Sequence, residues 1–305
     1  MIWDVLSSSI LYESAFRLAV LFVLAATGEW MAERAGTLNI SLEGMIIAGA
    51  FGAAVGSSTF HSVWVGLGYA AVAGLVLASV QANMSHRLTA NQFVVGLTLN
   101  VLVVGLTAFL DAELKPVVQR AGVVEIPLLS KIPLVGTAFF GQSWPAYMVY
   151  LAVPLAWFLV FRTRWGLELR ACGENPQSAD VSGVHVNKRR RQAIYLCGIY
   201  AGLGGGFLTL AQVGTFEPEG VAGRGFIAIA AVIFGGWTLK GTIAGCFVFG
   251  TAQALGSVLQ ALGYRANPQL LTSLPYVLAL ATMLLFAHRT RPPAALARPF
   301  VRGLT

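Results

Sequence analysis

Apolar residues in this chain come in long blocks, and nearly every block is about as long as a bilayer is thick. A membrane-crossing helix needs about 20 mostly apolar residues. Blocks at 13–28, 40–57, 61–83, 91–110, 144–161, 192–212, 225–237, 241–262 and 268–287 predict nine crossings and place the two termini on opposite sides. The expected fold is an all-α polytopic membrane protein, with residues 1–305 forming a single transmembrane domain.

The order of the blocks carries more. Block 40–57 follows a polar stretch with glycines, GEWMAERAGTLNISLEG, and block 225–237 follows another, GTFEPEGVAGRG. The second of these blocks is too short to span comfortably. One ordinary block precedes each and two follow, so residues 13–110 and 192–287 read as two four-segment units with 144–161 between them. A single extra crossing turns the second unit upside down. Such an inverted repeat, with short or broken segments at matching positions, points to a transport pathway. Glycines four residues apart, at 52 and 56, at 198, 202 and 206, and at 241 and 245, allow close helix packing but carry no information about a solute.

Composition agrees. Of 305 residues, 56% are hydrophobic and 11% are Asp, Glu, Lys or Arg. A soluble domain carries about 25% charge, so soluble enzymes, nucleic-acid binders and disordered chains are excluded. The net charge of +7 reports topology. With the N-terminus outside, the inner segments hold 14 basic residues (seven of them in 162–191) and the outer ones five, Lys115, Arg120, Lys131, Arg224 and Arg265. The positive-inside rule then gives N-terminus out and C-terminus in. Asp4 and Glu13 stand where a cleavable leader has its positive region, so none is expected. Cys172, Cys197 and Cys246 lack metal-ligand spacing and read as reduced packing residues. Trp64, Trp144, Trp165 and Trp237 fall near the expected interfaces, and His61, His86, His185 and His288 near ends or loops where they are solvated.

The one sizeable inner loop, 162–191, contains its own helix signal. Asn175 before Pro176 is a helix start, and Gly183 is a stop. A helix over 176–182 is too short to stand alone in water. It docks either on this chain's own helix ends or on a partner. The basic residues from Lys188 to Arg191 read as topology signals and anchors to lipid headgroups, in preference to direct partner contacts.

Three stretches together resemble a known family. ERAGTLNISLEG (33–44), with Glu29 a turn earlier, is similar to the ERAG-x-LNIG-LEG signature of bacterial ABC-importer permeases for nucleosides and simple sugars, relatives of the ribose and branched-chain amino-acid permeases. GENP (173–176), with Ala179, Gly183 and Val184, is a second match, and AGRGFIAIAAVIFG (222–235) a third. Ser41 stands where that family usually has glycine. The resemblance implies an importer subunit of the inner membrane, one of two permease subunits; being short, this chain would be one half of a heterodimer. An extracytoplasmic binding protein would deliver the solute. A separate ATPase would hold ATP and magnesium and grip the coupling segment at Glu174, Asn175, Pro176, Ala179 and Gly183. This chain has no G-x-x-x-x-G-K-[ST] phosphate loop, so no cofactor is expected in it.

Ionisable groups in hydrocarbon are costly and suggest function. Glu43, one turn beyond Asn39, either faces a hydroxyl-rich solute or offsets a helix dipole. Asn39, Ser41, Glu43, Asn91, Thr98 and Phe226 are the pathway candidates; Asn91 and Thr98 share a face, whereas Asn100 points the other way. Phe226 stacks on a planar base or simply packs. Glu217, Glu219 and Arg224 form a docking patch for the binding protein or a surface ion pair. No residue set suggests covalent catalysis, so the chain is not expected to be an enzyme. The competing function is a stand-alone secondary transporter or channel, which the scarcity of membrane carboxylates disfavours.

Overall fold

Where no water reaches the backbone, its polar groups must pair within the segment, and the apolar blocks accordingly form helices. A computed structural model describes residues 9–127, 129–130, 132, 136–261, 267–286 and 291–302. Asp4, Lys131, Arg265 and His288 lie outside the described residues.

The first helices are α1 (Ser9–Arg34), α2 (Leu42–Phe60), α3 (Val63–His86) and α4 (Gln92–Leu114). A two-stranded antiparallel ribbon follows, β1 (Val123–Glu125) with β2 (Gly141–Ser143), in the register Val123 to Ser143, with the short α5 (Gly136–Phe140) between the strands. Next come α6 (Met148–Arg162), α7 (Arg164–Glu174), α8 (Pro176–Val181) and α9 (Val186–Phe207), the last continuing as a wider turn to Val213. The chain then forms α10 (Arg224–Phe234), α11 (Leu239–Ala261) and α12 (Pro268–Phe286). Six of the described helical stretches are long and apolar enough to cross a membrane. Helix α2 is not among them, because Glu43 and its run of Gly and Ser dilute its hydropathy; it is buried along most of its length, with its end at Phe60 exposed. The expected short block 225–237 is the 11-residue α10.

Helix α1 is buried along most of its length and packs against α9 and α11, while α2, α3 and α9 pack on one another. Small residues set that spacing. A Cβ on Gly198 would stand 2.5 Å from the Gly74 carbonyl oxygen, and one on Gly49 only 2.4 Å from the Gly202 Cα. Exposed apolar side chains such as Val101, Phe109, Leu151, Phe158 and Leu284 form the outer surface of α4, α6 and α12.

Three expectations need correction. His86 is not solvated: it is buried at the end of α3 with its Nε2 3.0 Å from Thr37 Oγ1. Trp237 is not an exposed ring either, since it too is buried. Trp64 does sit in the open, 70% exposed and stacked on Trp144. The inner loop also holds more helix than expected. Thr163 caps α7, its Oγ1 accepting the Gly166 N–H at 3.1 Å, and α9 begins six residues before block 192–212.

Candidate functional site

The stretch between α1 and α2 folds the chain back against α1. Gly36 turns it with φ +87°, a conformation that favours glycine. Asn39 then donates its backbone N–H to Glu29 Oε1 at 2.9 Å, ten residues back on α1. Its side-chain amide donates to Met45 Sδ and Cys197 Sγ, both at 3.3 Å, and its Oδ1 accepts from Ser41 Oγ at 2.7 Å. Asn100, on α4, receives the Gly44 N–H at 2.8 Å and donates to the Ile40 carbonyl at 2.9 Å. One turn beyond Glu29, Glu33 accepts the Trp237 indole N–H, and the Trp30 indole donates to the Trp237 carbonyl at 2.8 Å. Glu29, Glu33, Asn39 and Ser41 are all fully buried. The signature residues thus hold a fold-back turn in a closed interior, where most of their polar atoms are hydrogen-bonded, while Glu33 Oε1 has no partner among the described residues.

Glu43 lies at the start of α2 and reaches the start of α10. Its Oε1 accepts the Gly223 N–H at 2.7 Å and its Oε2 the Gly225 N–H at 2.6 Å. Free N–H groups and a positive dipole end make a helix N-terminus a carboxylate site. The dipole role considered for Glu43 is therefore present, but toward a helix some 180 residues away as well as its own. Glycine is required on both sides: Gly223 has φ +78°, and a Cβ on Gly225 would come within 2.7 Å of the Glu43 backbone. Between them Arg224 is half-buried and acts on Glu43 through space, yet its Nε and Nη1 are buried without a hydrogen-bond partner among the described residues. Phe226 is 44% exposed beside this junction.

The other candidates separate. Asn91 caps α4, accepting the Phe93 N–H at 2.9 Å, and lines a groove of about 300 Å³ with Thr98, Met84 and Val94 that Glu43 does not line. A larger groove, about 670 Å³, runs along α6 past Trp157, Trp237 and Lys240 and takes in none of the pathway candidates. Glu217 and Glu219 are exposed, but Arg224 is drawn inward and leaves that patch.

In the inner loop, Asn175 Oδ1 accepts the Ser178 N–H at 2.9 Å, and Pro176 opens α8. Gly183 closes it with φ +87°, its N–H donating to the Asp180 carbonyl at 2.9 Å. Pro176 and Ala179 face inward, whereas Glu174 and Asn175 are exposed and Val181 is 90% exposed. Under α8 lies Cys172, whose thiol burial pushes up to about 11.

Sequence reasoning missed two participants. Arg190 read as an anchor, yet it is fully buried. The basic residues after 287 entered only the count of inner charges, yet the tail 291–302 lies against α7 and α8. The arginine run gave no signal for separating the one inward member from its neighbours.

The family described as the branched-chain amino acid transport system permease component matches residues 11–287. The nucleoside ABC transporter permease protein NupC of Lactococcus lactis is 34% identical over 90% of each chain. The guanosine ABC transporter permease protein NupQ of Bacillus subtilis is 32% identical over 97% of each. The putative glucose ABC transporter permease protein TsgC13 of Haloferax volcanii is 32% identical over 96% of this chain and 98% of its own. No solved structure matches. The family is one of transport components and not of enzymes, and a bundle with several long apolar helices is a multi-pass membrane protein. This chain belongs to that permease family and is a membrane-embedded permease subunit of an ABC transporter.

Proposed function

We propose that this chain imports a nucleoside, or a solute resembling its sugar part, by alternating access driven by a separate ATPase. The observation that carries the reading is the junction of the α2 and α10 N-termini. Glu43 commits both oxygens to backbone N–H groups, which leaves two buried Arg224 donors unpaired beside the exposed Phe226 ring. A hydroxyl- and carbonyl-bearing solute with a flat base fits such a set. Asn39 and Ser41 support the turn behind it, and Asn91 and Thr98 serve a peripheral face. Whole-length similarity to permeases named for nucleosides and guanosine supports the solute class.

Residues 1–305 act as a single domain of nine crossings with inverted units 13–110 and 192–287. The meeting of the two N-termini, each after a fold-back turn, supports that arrangement. ATP and magnesium bind in the partner ATPase, which docks on Glu174, Asn175, Pro176, Ala179 and Gly183. Glu217 and Glu219 receive the binding protein, a different permease subunit covers one apolar flank, and lipid the rest. The chain sits in a bacterial cytoplasmic membrane with its N-terminus out and C-terminus in.

The test is reconstitution in liposomes with the cognate ATPase and binding protein, with guanosine, other nucleosides, ribose, glucose and leucine as solutes. Nucleosides are expected to stimulate ATP hydrolysis and uptake severalfold. Uptake that persists without the ATPase, or stimulation by leucine alone, overturns the proposal.

A further inference from the structure

Arg190, near the start of α9, is fully buried and has no carboxylate among its hydrogen-bond partners in the described residues. Its donors go to backbone carbonyls of three separate segments. Nε donates to Ala35 at 3.1 Å in the turn after α1, and Nη1 to Arg298 at 2.7 Å in the tail. Nη2 donates at 3.4 Å to Cys172, near the end of α7, and also at 3.4 Å to Ala295 in the tail. A buried cation is tolerated only while its donors stay engaged, so these segments hold their positions jointly. The tail adds bonds of its own. The Ala295 N–H donates to the Gly173 carbonyl at 2.9 Å, and the Ala297 N–H to the Gly36 carbonyl at 3.1 Å. Phe300 is buried against Cys172, Ala179 and Val186, and Arg302 meets Asp180 of α8 at 3.1 Å.

We propose that Arg190 is a positioning residue for the coupling segment, and that the tail 291–302 is a strap. Together they make α8 and the turn at 35–41 move as one block. The inference rests on α8 being the helix the ATPase grips. The mechanical route then continues through the chain: the turn at 35–41 leads into α2, and Glu43 of α2 holds the start of α10. Motion imposed at α8 arrives at the pathway junction without passing through the long helices.

The experiment uses the full transporter in liposomes and compares wild type, a chain ending at Arg291, Arg190→Gln and Arg190→Lys. It reads solute moved per ATP hydrolysed, ATPase retained on purification, and maleimide labelling of Cys172. Shortening is expected to keep the ATPase and its basal hydrolysis within about twofold while solute moved per ATP falls about tenfold, with Cys172 labelled about tenfold faster. Arg190→Gln follows the same pattern, and Arg190→Lys recovers part of the ratio because an ammonium reaches some of the four carbonyls. Should the shortened chain fail to accumulate, Phe300→Ala with Arg302→Ala loosens the strap in its place. An unchanged ratio in the shortened or loosened chain, or loss of the ATPase from it, overturns the inference. Failure of the wild type to retain an ATPase overturns the proposed function instead.

Discussion

At the scale of single residues, the junction between α2 and α10 has no slack. The Glu43 carboxylate lies within 2.7 Å of two N–H donors, and Gly225 leaves no room for a methyl group. Gly225→Ala must therefore displace backbone, at a cost of about 1–3 kcal/mol. A thermal melt in detergent is expected to show a clear fall, with uptake lost. Phe226→Ala, one residue on, removes an exposed ring. It is expected to leave the melt within a degree or two and to weaken nucleoside-stimulated hydrolysis severalfold; unchanged stimulation removes Phe226 from the pathway. Though Glu29 and Glu33 of α1 are buried as well, composition and motif spacing made Glu43 visible as a membrane carboxylate. They left open which helix it serves, because Gly223 and Gly225 are some 180 residues distant and a hydropathy pattern holds no record of pairing. Asn100 and Glu33 were obscure for the same reason, their partners being set by the fold-back turn.

At the scale of elements, α8 is the clearest case of local chemistry deciding structure. Six residues do not nucleate a helix in water, so its form depends on the Asn175 cap, the Gly183 stop and the face buried against α7 and α9. Asn175→Ala removes a cap worth about 1 kcal/mol. Gly183→Ala adds about 1–2 kcal/mol of backbone strain at φ +87°, and nothing else, because a Cβ there meets no atom. Both variants are expected to lower solute-stimulated hydrolysis severalfold while the global melt changes little. A wild-type response from both removes α8 as the coupling element. Caps and stops act within four residues, which is why α8 was legible from sequence to within a residue. Helix α7 was overlooked although Thr163 offered the same kind of cap, since its polar face masked it in a search for apolar blocks. The β1–β2 ribbon has three residues per strand, too few for alternation to register.

At the scale of the whole molecule, arrangement follows from where charge and apolar surface lie. The apolar flanks of α4, α6 and α12 face outward, and the basic residues concentrate around α7, α8 and the tail. A basic cluster of this kind resists translocation, and the proposed orientation puts it on the inner side, with the turn bearing Glu217 and Glu219 on the outer. The three native cysteines are all buried, which leaves little background for labelling by a thiol reagent. Val181→Cys and Glu217→Cys therefore report the two faces separately, since both positions are exposed. With a membrane-impermeant maleimide on intact cells, Glu217→Cys is expected to label about tenfold faster than Val181→Cys, and inside-out vesicles should reverse the order. Labelling of Val181→Cys from the outside would put α8 beyond the reach of any cytoplasmic ATPase. The permease would then lose its motor contact, whatever its family.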